Sequence, residues 1–97
     1  MKIRILGSAL NDLREGKDFY DLQENGVGDY FKDCLFSDID SLVLYAGIHK
    51  KVFGYHRLLS KRFPYAVYYT ISDSGVVTVC RVLDCRRDPL KIRKALE

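Results

Sequence analysis

Tyr65-Ala66-Val67-Tyr68-Tyr69-Thr70-Ile71, then Ser72-Asp73-Ser74-Gly75, then Val76-Val77-Thr78-Val79-Cys80-Arg81-Val82-Leu83, is the run that decides the fold. Its first segment is β-branched and aromatic, residue types that pack well on a pleated surface, and it reads as a strand. Ser72–Gly75 holds turn formers and predicts a hairpin. The last segment is apolar almost throughout, broken only by Thr78 and Arg81. Such continuity predicts a central strand covered on both faces. Arg81 is the exception to explain. An unpaired guanidinium in an apolar strand is expensive, so a carboxylate or a sheet-edge group is expected to meet it. Asp84, three residues on, is the nearest candidate in the chain.

Working outward, the chain from Lys51 also has β texture, with Phe53, Tyr55, Arg57 and Leu59 on one face of a strand that ends near Lys61-Arg62. Met1–Leu6 reads as a short strand stopping at Gly7, and Ser8 is expected to cap a helix over Ala9–Glu24. Leu10, Leu13, Lys17 and Tyr20 follow helical spacing there. Gly16 is out of place in a helix interior, at roughly 1 kcal/mol against Ala, unless close packing uses its missing side chain. Asn25-Gly26 and Gly28 punctuate a tight connection. A second helix over Asp29–Tyr45 then carries Phe31, Leu35, Ile39, Leu42 and Ala46 as an amphipathic stripe, with Gly47 as its C-cap. Beyond the central strand, Asp84–Pro89 is a turn, and Pro89 suits the first turn of a short helix reaching Glu97.

The predicted architecture is one α+β domain over residues 1–97. An antiparallel helical hairpin packs on a mainly antiparallel sheet of about four strands, and a short C-terminal helix follows. Three cysteines without CxxC spacing read as reduced thiols and argue against a disulfide framework or a zinc ribbon. No metal or cofactor is expected. No segment approaches the length of a membrane span or has the form of a signal peptide, so a cytoplasmic protein with no membrane partner is expected. The charges are segregated. Residues 1–48 carry five Lys/Arg against nine Asp/Glu, and residues 49–97 carry eleven against four. That asymmetry points to a positive surface facing an anionic partner. Tyr65, Tyr68 and Tyr69 could stack on nucleobases, but between helices they are expected to be core.

Two stretches carry a resemblance. Arg62-Phe63-Pro64-Tyr65-Ala66-Val67-Tyr68-Tyr69 leads into an aromatic strand, and Val82-Leu83-Asp84-Cys85-Arg86-Arg87-Asp88-Pro89 closes a strand on a basic turn before a final helix. Together with the element order, they resemble the RelE/ParE toxin superfamily, and its ParE-type branch more closely. The resemblance implies a growth-arresting, plasmid-stabilising toxin of a bacterial type II toxin–antitoxin system. It also implies a cognate antitoxin whose tail wraps the toxin, and a toxin–antitoxin heterotetramer. Toxins of this superfamily act by two routes: ParE-type members poison DNA gyrase, and RelE-type members cut mRNA on the translating ribosome.

Cutting RNA through its 2′-hydroxyl needs a proton acceptor, a donor to the leaving oxygen and positive charge on the phosphate. No basic residue lies between Arg62 and Arg81, and no Tyr or His follows the basic turn. His49 and His56 are seven apart, outside helical metal spacing. Arginine neutralises phosphate charge but stays protonated and makes a poor base. These residues favour gyrase binding through Arg81, Arg86, Arg87, Lys91, Arg93 and Lys94. The alternative is a ribosome-dependent mRNA endoribonuclease using Arg81, Arg86 and His56. A third reading is a toxin-fold interaction module that has lost its target.

Overall fold

A computed structural model describes all 97 residues. β1 (Lys2–Ile5) leads into α1 (Gly7–Gln23), α2 (Val27–Asp40) and a one-turn α3 (Leu42–Tyr45). β2 (Lys51–Val52), β3 (Tyr55–Leu59), β4 (Tyr65–Ile71), β5 (Val76–Asp84) and α4 (Pro89–Ala95) follow. The five strands form one mixed sheet in the order β1-β5-β4-β3-β2, with β1 parallel to β5 and every other pair antiparallel.

The sheet separates two cores. On one face Val67, Tyr69, Val77, Val79 and Val82 meet Ala9 and Leu13 of α1 and Phe31, Leu35 and Ile39 of α2. On the other, Ala66, Tyr68 and Leu83 meet Ile92 and Leu96 at α4. β5 is therefore central and covered on both sides, which is why its sequence has no polar alternation. Tyr65, Tyr68 and Tyr69 are all buried.

A β-bulge re-aims Arg81. Tyr69 pairs with Val79 and Tyr68 with Arg81, leaving Cys80 as the extra residue. Regular alternation from Val77 and Val79 would point residue 81 into the helical-hairpin core. The bulge instead turns Val82 into that core and moves Arg81 to the side of Tyr68.

Three local expectations need correction. Ser8 does not cap α1: the helix starts at Gly7, and the Ser8 hydroxyl donates to the Cys80 carbonyl at 2.8 Å. β1 runs beside β5 only as far as Val79, so the first turn of α1 satisfies the next carbonyl of β5. The second helix is not continuous to Tyr45, because it breaks at Ser41, whose hydroxyl donates to the Asp38 carbonyl at 2.6 Å. Such a local bond competes with the helical ladder. The strand foreseen through Phe53 to Leu59 is a hairpin, with Phe53 and Gly54 at φ 55° and 85° forming its two-residue turn. A primed turn matches strand twist and demands positive φ at both positions; glycine accepts this, whereas a phenylalanine there is strained by about 1–2 kcal/mol.

The helices approach closely at Gly16. A Cβ built there would lie 2.6 Å from the Phe31 ring. That ring sits among Tyr20, Phe63 and Tyr65, with centroids 4.8–5.2 Å away. Gly16→Ala is expected to destabilise by about 1–3 kcal/mol despite its better helix propensity, because a packed aromatic cluster has no room to give. Urea denaturation would show this, and an unchanged midpoint would mean that the ring moves freely.

Candidate functional site

The charge asymmetry of the sequence becomes an asymmetry in space. The acid-rich first half builds β1 and the helical layer, and the basic second half builds the remaining strands and α4 on the opposite face. Asp88 caps α4 by accepting a hydrogen bond from the Leu90 N–H at 2.9 Å, and Pro89 starts the helix. Ile92 and Leu96 turn into the sheet, while Lys91, Arg93 and Lys94 face solvent. Arg93 and Lys94 lie in the last turn, where cations suit the helix dipole. Two side chains tether the end of the helix: the Tyr55 hydroxyl donates to the Leu96 carbonyl at 2.8 Å, and Arg81 Nη1 donates to the Ala95 carbonyl at 3.0 Å.

The six cations expected at the target surface are not equivalent. Arg81 is locked in a bidentate pair with Asp12, Nε to Oδ2 at 2.7 Å and Nη2 to Oδ1 at 2.8 Å. Its partner is thus Asp12, 69 residues away, and not Asp84. The Asp12 carboxylate also accepts from the Val82 N–H at 3.0 Å, so it closes the edge of β5 that β1 leaves uncovered. Asp84 instead holds Arg86, at 2.7 and 3.0 Å. The Arg86 hydrogen bonds keep the Asp84 carboxyl below the usual carboxylate range. Arg87, Lys91, Arg93 and Lys94 are in no ion pair; the last three are the net positive charge of the α4 face, and Arg87 sits in the turn before α4, toward α1. Arg87 also borders a cleft of about 220 Å³ with Glu15, Phe19 and Tyr65.

His56 lies on the opposite, helical side of the sheet, stacked on Tyr69 with ring centroids 5.1 Å apart. Its Nδ1 must carry the proton, since it meets the His49 carbonyl at 2.8 Å and a carbonyl only accepts. His49 Nδ1 is hydrogen-bonded to the Tyr69 hydroxyl, which also accepts from the Gly47 N–H at 3.0 Å. Arg81, Arg86 and His56 are therefore not brought to one place. Burial, and then the nearby His56, push the His49 pKa below its ordinary 6.5. Below about pH 6.5 the unfolded chain takes up a proton here that the folded chain resists, so stability falls as pH drops through that value. The urea midpoint is expected to decline between pH 7.5 and 5.5, and less so in His49→Gln. Equal declines in both proteins would place the acid sensitivity elsewhere.

Two residues escaped sequence reasoning. Asp12 was legible as an acid on the buried stripe Ala9-Asp12-Leu13-Gly16, which called for a buried cation just as Arg81 called for a buried anion. Arg57, paired across β3–β4 with Tyr68, adds a cation to the α4 side of the sheet. No group of three or more His, Cys, Asp or Glu is arranged to hold a metal, and no helix is long and apolar enough to cross a membrane.

A helical hairpin on one face of a five-stranded mixed sheet, with a short cationic helix on the other, defines a small α+β domain with a cationic face. The chain belongs to the ParE toxin family: the family described as "ParE toxin of type II toxin-antitoxin system, parDE" matches residues 3–89. The fold is similar to that in a structure described as the chromosomal ParDE TA system from P. aeruginosa, with a TM-score of 0.76 at 17% identity, covering 84% of this chain and 92% of that one. No curated protein matches the chain in sequence.

Proposed function

We propose that this chain is a toxin that arrests growth by binding and poisoning DNA gyrase, and that a cognate antitoxin neutralises it. The observation that carries the reading is the cation set Arg87, Lys91, Arg93 and Lys94 on and beside α4, free of ion pairs. It offers charge for binding an anionic protein–DNA target. The histidines that could serve as a base are on the other face, tied to Tyr69 and to backbone. Binding without chemistry in the toxin is therefore favoured over mRNA cleavage.

The antitoxin surface is assigned to the groove between α1 and α2, a cleft of about 310 Å³ lined by Leu10, Leu13 and Phe36 and rimmed by the unpaired Arg14 and Lys32 and by Lys17, which Asp21 holds at 2.8 Å. An amphipathic helix with acidic flanks fits that chemistry. The test is supercoiling of relaxed plasmid by purified gyrase, with and without the chain. Loss of supercoiling with trapped cleaved DNA is expected. Normal supercoiling, together with new mRNA 5′ ends in translated frames during growth arrest, would transfer the function to the ribosome.

A further inference from the structure

The β2–β3 hairpin holds a phenylalanine where the backbone disfavours one. Phe53 has φ 55°, yet 46% of it is exposed, and it belongs to neither core and to no aromatic pair. Core packing therefore does not account for it. Backbone strain kept at an exposed tip, with no core or aromatic contact to offset it, is a mark of a contact surface.

The flanking residues say what kind of partner fits. Residues 41–72 contain neither Asp nor Glu, and none of Lys50, Lys51 and Arg57 is in an ion pair. Lys51 pairs with His56, on the helical side of the sheet. Arg57 lies on the α4 side, and its N–H donates to the Lys50 carbonyl at 3.0 Å, which by strand alternation puts Lys50 on that side too. The ribbon thus carries cations on both faces behind an aromatic tip. A flat acidic protein surface would meet only one of those faces. A nucleic-acid groove has phosphates on both walls and a stack of bases at its floor, and a two-stranded ribbon is narrow enough to enter one.

We propose that the β2–β3 hairpin binds duplex DNA, with Lys50, Lys51 and Arg57 on the phosphates of the two walls and Phe53 against a base step. The inference goes beyond the gyrase reading and stands on separate residues. Its test uses no gyrase, so either can fail alone.

The experiment is fluorescence anisotropy of a short labelled duplex with the chain made by cell-free synthesis, across a salt series. Salt-sensitive binding is expected. The Lys50→Ala/Lys51→Ala variant should weaken it by at least about tenfold and lower the salt slope by about 2. Phe53→Asn supplies a residue suited to the turn, so it should raise Tm by about 5 °C while weakening binding about tenfold. A lower Tm in Phe53→Asn would make the ring a packing residue and overturn the proposal. So would undiminished binding in both variants, no binding at low salt, or preference for an RNA hairpin over the duplex.

Discussion

Asp12→Ala is expected to destabilise the fold by about 3 kcal/mol, lowering Tm by roughly 15 °C. The Asp12 carboxylate is buried and makes three hydrogen bonds, two to the Arg81 guanidinium and one to the Val82 N–H. Removing it leaves a partly buried cation with only the Ala95 carbonyl, and an open N–H on the central strand. The same loss loosens α1 from the edge of β5 and leaves Arg81, which forms one of the two tethers of α4, without its anchor on α1. Because both partners are needed to satisfy each other, Asp12→Leu with Arg81→Met should recover part of the stability lost in either single variant. Thermal and urea denaturation of the four proteins gives the coupling directly. A coupling below about 0.5 kcal/mol would mean that the pair contributes nothing as a pair.

The second large effect concerns the target. Arg87→Glu with Lys91→Glu should abolish growth arrest on induction and raise the concentration needed to inhibit gyrase by at least roughly 30-fold. Lys91→Glu spares the fold, and at the exposed Arg87 the added repulsion toward Asp84 and Glu15 is screened by solvent. Neither cation is in an ion pair, and a carboxylate at residue 91 lies in the first turn of α4, where the helix dipole favours it. Tm should therefore move by no more than a few degrees. Arg86→Glu is the contrasting case, since it places two carboxylates together at Asp84 and disturbs the turn itself. Full toxicity of the Arg87→Glu/Lys91→Glu protein at normal Tm would remove α4 from the target surface.

Reading the site from sequence went wrong where a side chain's partner is distant in the chain. Arg81 announced its need for an anion, but proximity in sequence pointed to Asp84, which holds Arg86 instead. Counting charges likewise treated six cations as alike, although two are occupied by carboxylates of this chain. The Phe53-Gly54 turn was missed for another reason. Strand-like alternation continues through it in sequence, and only the pairing of Lys51 with His56 shows that the chain reverses.

Short-range physics was enough to determine most of the architecture of this protein. Apolar residues at helical spacing buried the faces of α1 and α2, and the turn at Ser72–Gly75 set β4 against β5. The charge segregation and the cationic final helix also stand in the sequence unaided. Tertiary structure alone decided which charges remain free. The bulge at Cys80 sets the direction of Arg81, and the end of β1 at Ile5 leaves the edge that Asp12 fills. The edge depends on the register between elements some seventy residues apart, and the bulge on a register break between the two strands of a hairpin; no local periodicity is sensitive to either.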